Sequence, residues 1–123
     1  MARILVLDDF KQMTSLLHRI LGEAGHEVTV ANTVNEALAA LSKRAADLVI
    51  TDIFIPDKDG LEFIKDVHAQ YPAMKILAIS GGVGRFPADS YLVMAQYSGA
   101  QRTLPKPFEP AALLKSVSEL LAS

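Results

Sequence analysis

Cysteine is absent from the chain. That removes a disulfide framework, a thiolate zinc site and a cysteine nucleophile from consideration. A basic block is missing too: twelve Lys and Arg stand against fourteen Asp and Glu, a formal net charge of −2. The electrostatic footprint of a nucleic-acid binder is therefore absent. No apolar run reaches the length of a membrane span, so no membrane role is expected. Met1-Ala2-Arg3 leads straight into Ile4-Leu5-Val6-Leu7, without the longer apolar core and cleavage site of a signal peptide, and a cytoplasmic protein is expected. Linkers, repeats and low-complexity tracts are not visible either. With 123 residues, 50% of them hydrophobic and 21% charged, the expectation is a single domain over 1–123 with one core and no output domain.

What is present is a rhythm of short apolar runs: Ile4–Leu7, Glu27–Ala31, Leu48–Ile53, Ile76–Ile79 and a weaker run near Gln101–Leu104. Their starts lie roughly two dozen residues apart, room for one helical crossover each, and their continuous rather than alternating character fits strands covered on both faces. The stretches between carry helix signals. Met13, Leu16, Leu17, Ile20 and Leu21 recur at helical spacing, with Gly22 and Gly25 marking an end. Thr33-Val34-Asn35-Glu36 fits a capping box ahead of the stripe Ala37, Leu38 and Leu41. Asp59-Gly60-Leu61-Glu62 is a looser version before Phe63, Ile64 and Val67. Pro110 suits the first turn of a last helix whose core face is Leu113, Leu114, Val117, Leu120 and Leu121. The pattern is (βα)5.

In an open parallel sheet, ligands bind beyond the carboxyl ends of the strands, near the point where the strand order reverses. The first run ends in Asp8-Asp9, the third in Asp52, the fourth in Ser80, and the fifth leads into Lys106-Pro107. Three carboxylates brought together repel unless a cation joins them, and an all-oxygen set favours a hard divalent ion such as Mg²⁺. Magnesium commonly shares its shell with phosphate oxygens, so the cluster reads as a phosphate site. A carboxylate can itself be the nucleophile in phosphoryl transfer. Asp52, standing apart from the adjacent acids Asp8 and Asp9, is the better nucleophile. Lys106 would neutralise phosphoryl charge and Ser80 would donate a hydrogen bond to it. A cis Lys106–Pro107 bond would aim the lysine inward. The bland readings are a solvated turn for Asp8-Asp9 alone, a turn former for Ser80, turn and cap roles for Asp57 and Asp59, and surface or packing roles for His18, His26 and His68.

At this point the chain resembles the receiver domains of two-component response regulators. The fragments that carry the resemblance, in order, are ILVLDD, DLVITDIFIP followed by DG, ILAIS, GA at Gly99-Ala100, and LPKPF. The resemblance implies a flavodoxin-like fold with a five-stranded parallel sheet in the order 2-1-3-4-5 and helices on both faces. It implies phosphorylation of Asp52 by a histidine kinase or phosphotransfer protein. It also implies Mg²⁺ on Asp9 and Asp52, with Asp8 acting mainly through water and the backbone carbonyl of Phe54 as a further metal contact. Ser80 takes the place of the family's switch hydroxyl and Lys106 of its lysine.

Two departures from the family pattern stand out. Thr103 occupies the position, three residues before the lysine, where the family usually has Tyr or Phe, and a threonine cannot bury and expose an aromatic face. The stretch between Ser80 and Gly99 is longer than in the family, the excess lying in GGVGRFPADSY. Gly81 and Gly82 can bring their N–H groups toward a phosphoryl oxygen. Gly84 to Pro87 reads as an extended connection, with a phosphate or partner contact from Arg85 as the sharper alternative. Phe54, two residues after Asp52, is expected to impede an attacking water and slow self-dephosphorylation.

The expected function is a Mg²⁺-dependent phosphoacceptor that signals through an unknown downstream protein. Its responsive face is expected on a helix over 88–98 carrying Tyr91, Leu92, Met94 and Tyr97, a face that would also serve a weak homodimer. Two other readings stand beside it. One is a receiver-like adaptor that binds partners independently of phosphorylation. The other is a small aspartate-nucleophile phosphohydrolase, which would want acids spaced one residue apart after the first strand.

Overall fold

A computed structural model of the chain describes residues 2–53, 60–80, 93–96 and 98–123. Five strands alternate with helices: β1 (Arg3–Leu7), α1 (Lys11–Glu23), β2 (Glu27–Ala31), α2 (Val34–Lys43), β3 (Leu48–Asp52), α3 (Gly60–Gln70), β4 (Lys75–Ser80), β5 (Arg102–Pro105) and a C-terminal helix, here α4 (Pro110–Ala122). Residues 93–96 and 98 are also helical. All strand pairs are parallel and the sheet order is β2-β1-β3-β4-β5. Strand β1 pairs with β2 on one side and β3 on the other, so the order reverses there and the carboxyl ends of β1 and β3 flank the crevice.

The period of two along each strand divides the core into two layers. Leu5, Leu7, Val49, Ile76 and Ala78 pack with Val34, Ala37 and Leu41 of α2 and Phe63, Ile64 and Val67 of α3. Ile4, Val6, Leu48, Ile50, Leu77 and Ile79 pack with Leu17 and Leu21 of α1 and Leu113, Val117 and Leu120 of α4. Both faces of β1, β3 and β4 are thus buried, which is why these strands read as unbroken apolar runs. The edge strands differ: β2 is mostly exposed, and β5 is half-buried and starts and ends one residue later than its weak apolar signal suggests. Leu16, counted in the α1 stripe, is 38% exposed.

Local signals set the helix ends. The Thr33 hydroxyl accepts from the Glu36 backbone N–H at 3.1 Å, half of the expected capping box. The other half is shifted by one residue, because the Glu36 carboxylate accepts from the N–H of Asn32 at 2.8 Å rather than from that of Thr33. Pro110 occupies the first turn of α4, where its missing N–H is of no consequence. Gly25, past the end of α1, has φ +95°.

Candidate functional site

The residues that end the strands form one constellation. Asp8 follows β1 and is almost wholly buried, Asp52 is the last residue of β3 and 6% exposed, and Asp9 faces solvent. One carboxylate oxygen from each of Asp8, Asp9 and Asp52 lies within 4.8 Å of the others. Lys106, just beyond β5, closes the group. Its Nζ donates to Asp8 Oδ2 at 3.0 Å and to Asp52 Oδ2 at 3.2 Å. The lysine main chain is held as well: its N–H donates to the carbonyl of Ser80 at 2.8 Å. Ser80, wholly buried, pairs with Pro105 at the end of β4. The Lys106–Pro107 peptide is cis.

Electrostatics hold the lysine charged. Burial works against the ammonium, but the Asp52 charge, the hydrogen bond to Asp8 and the Asp8 charge together outweigh it and raise the Lys106 pKa above its ordinary value. Counting formal charges, three carboxylates and one ammonium give −3 + 1 = −2. A surplus of anionic oxygen on two buried acids and one exposed one, with no sulfur or nitrogen donor among the three, matches the donor preference of a hard divalent cation.

The loop that carries the two acids is itself tied down. Asp8 Oδ1 accepts from the Phe10 N–H at 2.9 Å, an Asx-type turn, and the Asp8 N–H donates to the Ala31 carbonyl at 3.2 Å. The Asn32 side-chain amide donates to the Asp8 carbonyl at 2.9 Å and to the Thr14 hydroxyl at 3.2 Å. Sequence reasoning followed the ends of four strands and passed over Asn32, although it is the first residue beyond β2. Applying the strand-end rule to β2 would have found it.

The structure thus brings together Asp8, Asp9, Asp52 and Lys106, with Ser80 beside the lysine. Thr103 sits in β5, half-buried and opposite Ala78. Phe54, Asp57, Asp59, Gly81, Gly82, Arg85, Tyr91, Leu92 and Tyr97 lie outside the described residues. Val93 and Met94, in the described part of the 88–98 region, are 50% and 48% exposed. The His26 Nδ1 accepts from the Ala2 N–H at 3.2 Å, and His68 packs where a side chain on Gly99 would lie.

Comparison with known proteins agrees with this geometry. The family model described as the response regulator receiver domain matches residues 4–118. The chain is 31% identical to the transcriptional regulatory protein CpxR of Klebsiella pneumoniae over 98% of its own length and 50% of the relative's. It is 32% identical to the DNA-binding transcriptional regulator NtrC of Azospirillum brasilense, over 99% of this chain and 24% of that one. The chain therefore spans a quarter to a half of the length of these curated relatives. Among solved structures, the receiver domain of NtrX from Brucella abortus superposes with a TM-score of 0.91 at 32% identity, covering 98% of each chain. The chemotaxis protein CheY4 of Vibrio cholerae does so with a TM-score of 0.85 at 33% identity, again over 98% of each. A doubly wound sheet in the order 2-1-3-4-5, an acidic rim closed by a lysine and a family match over nearly the whole length establish that the chain belongs to the receiver domains of two-component response regulators.

Proposed function

We propose that the chain is a magnesium-dependent phosphoacceptor in which Asp52 takes a phosphoryl group from a phosphohistidine on a histidine kinase or phosphotransfer protein. The observation that carries this reading is the bridging of Asp8 and Asp52 by the Lys106 ammonium, with the third acid, Asp9, within ligand distance and open to solvent. The donor set fits Mg²⁺: Asp9 and Asp52 would hold it, Asp8 would act through water, and the Phe54 carbonyl would complete the protein's share. The ion supplies positive charge to the phosphoryl oxygens and to the attacking carboxylate.

The chain's own residues do the rest. An Asp52 carboxylate oxygen forms the new O–P bond as the N–P bond to the donor imidazole breaks, and the leaving imidazole keeps the electron pair and takes up a proton. Lys106, already oriented by its backbone bond to Ser80, follows the charge as it moves onto the phosphoryl oxygens. Ser80 and the N–H of Gly81 are assigned to the same oxygens. The product is an acyl phosphate that adds nearly two negative charges and biases an existing equilibrium between arrangements of the surface. The protein takes part in one transfer per cycle and is not a turnover enzyme. A cytoplasmic site of action and an unidentified protein partner complete the proposal.

The test is incubation with a small acyl phosphate and Mg²⁺, followed by intact mass. Wild type is expected to gain one phosphoryl group and Asp52→Asn none. An unmodified wild type, or a variant modified to the same extent, defeats the reading.

One observation favours a second reading, the phosphorylation-independent adaptor: Thr103, where the family usually has an aromatic ring, is half-buried in β5. Equal partner affinity with and without phosphate on Asp52 would select it.

A further inference from the structure

Asn32 sits at the junction of β2 and α2, outside the acidic cluster, yet its side-chain amide ties the loop that carries Asp8 and Asp9 to the first turn of α1. One bond goes to the carbonyl of Asp8 at 2.9 Å and the other to the buried hydroxyl of Thr14 at 3.2 Å. The amide orientation follows from chemistry, because a backbone carbonyl only accepts and the NH₂ end must face it. The Thr14 hydroxyl is oriented in turn, donating to the Lys11 carbonyl at 3.1 Å. Asn32 is anchored from behind by the Glu36 carboxylate on its own N–H.

The Asp8 carbonyl belongs to the peptide unit that joins Asp8 to Asp9, and that unit is planar. Fixing the oxygen fixes the plane from which the Asp9 side chain departs. Asp9, exposed and at the rim, has little packing of its own to hold it. Cation affinity at a carboxylate cluster depends on how far the ligands are held in place before the ion arrives. We propose that Asn32, with Thr14, is a positioning residue for the divalent cation: it joins the β2–α2 junction to the acid-bearing loop and holds the Asp8–Asp9 peptide ready for binding. The proposal rests on the phosphoacceptor reading for the identity of the ion.

Isothermal titration with magnesium chloride on the whole chain tests it, with the backbone amide resonance of Asp9 as a second readout. Asn32→Ala should weaken magnesium binding by about tenfold. Thr33→Ala, which uncaps α2 at the same junction without touching Asp8, should lower the thermal midpoint while leaving affinity within about twofold of wild type. Thr14→Val keeps the Asp8 bond and should weaken binding about threefold, and Thr14→Ser should restore it. An Asn32→Ala protein with wild-type affinity, whatever its melting temperature, overturns the proposal. If Asn32→Ala does not fold, the Thr14 pair decides, and equal affinities for Thr14→Val and wild type overturn it. Absence of any magnesium heat from wild type would instead remove the phosphoacceptor reading, and this inference with it.

Discussion

Asp9 is the exposed member of a trio whose other two acids share one ammonium. Its charge is half of the cluster's formal surplus of −2, so removing it should relieve repulsion. We expect Asp9→Asn to raise the thermal midpoint in chelator-treated buffer by about 4 °C, on the order of 1 kcal/mol for a chain of this size. The same variant should also lose the stabilisation expected from magnesium on the proposed reading. An unchanged or lowered midpoint would show that the three charges do not strain the fold. Lys106→Met is the opposite case: it leaves Asp8 and Asp52 facing each other without their cation and should cost about 2 kcal/mol in denaturant unfolding. His26 predicts a pH effect at the other end of the sheet. Burial, and then the positive charge at the chain's amino terminus, lower its pKa below the ordinary value, and its Nδ1 accepts from Ala2 only while unprotonated. A folded-state pKa below the unfolded one means that the stability is present above the ordinary imidazole value and is lost as pH falls through the folded value. Urea midpoints measured from pH 7.5 to 5 should therefore fall more steeply for wild type than for His26→Gln. Parallel slopes would count against it.

Helix α3 begins where its first residue touches Ile53, the residue just past β3. A Cβ on Gly60 would overlap the Ile53 carbonyl, to which the Gly60 N–H donates at 3.0 Å. The obstacle is backbone, so the helix must move away from β3 to admit a methyl group. Gly60→Ala should cost about 3 kcal/mol in denaturant unfolding. Gly99 combines two effects: φ of +131° and a Cβ position 2.8 Å from the His68 ring and Cβ. For Gly99→Ala, adding His68→Ala should recover the steric part and leave the backbone part, a test of non-additivity between neighbours. These close approaches bear on what could be read from the sequence. Strands β1, β3 and β4 were legible because burial on both faces makes them continuously apolar, and the acids were legible because they stand where such runs stop. Strand β5 was faint because an edge strand with Thr103 and Pro105 needs less apolar surface. Leu16 falls on the apolar stripe of α1 by spacing but is partly exposed, because periodicity does not say how wide the covering layer is. The pairing of Lys106 with both Asp8 and Asp52, and the reach of Asn32 from β2, are products of the parallel topology and leave no local trace. The strand ends point to Asp8, Asp9, Asp52 and Lys106 as residues that meet, and only the fold shows through which atoms.

Across the whole molecule the charge is unevenly placed. The chain's formal net charge is −2, and the cluster of Asp8, Asp9, Asp52 and Lys106 also sums to −2, so the remainder is neutral by formal count. The surplus negative charge is concentrated at one rim, where it attracts cations. That rim exists only in the folded chain: Lys106 is 98 residues from Asp8 and 54 from Asp52 along the sequence. A cation that binds the assembled cluster and not the separated acids must stabilise the fold by mass action. At a magnesium concentration a hundred times its dissociation constant, the gain is about 2.7 kcal/mol, or roughly 10 °C in thermal midpoint for a domain of this size. Above saturation each further tenfold of magnesium should add about 1.4 kcal/mol, and the dependence of unfolding on denaturant concentration should keep its slope, because the ion changes stability rather than the surface exposed. Sodium chloride at matched ionic strength screens the same repulsion without bridging the acids and should give a much smaller shift. Equal shifts with the two salts would mean that the rim is only a patch of screened charge, and no shift with either would mean that the assembled cluster binds no magnesium.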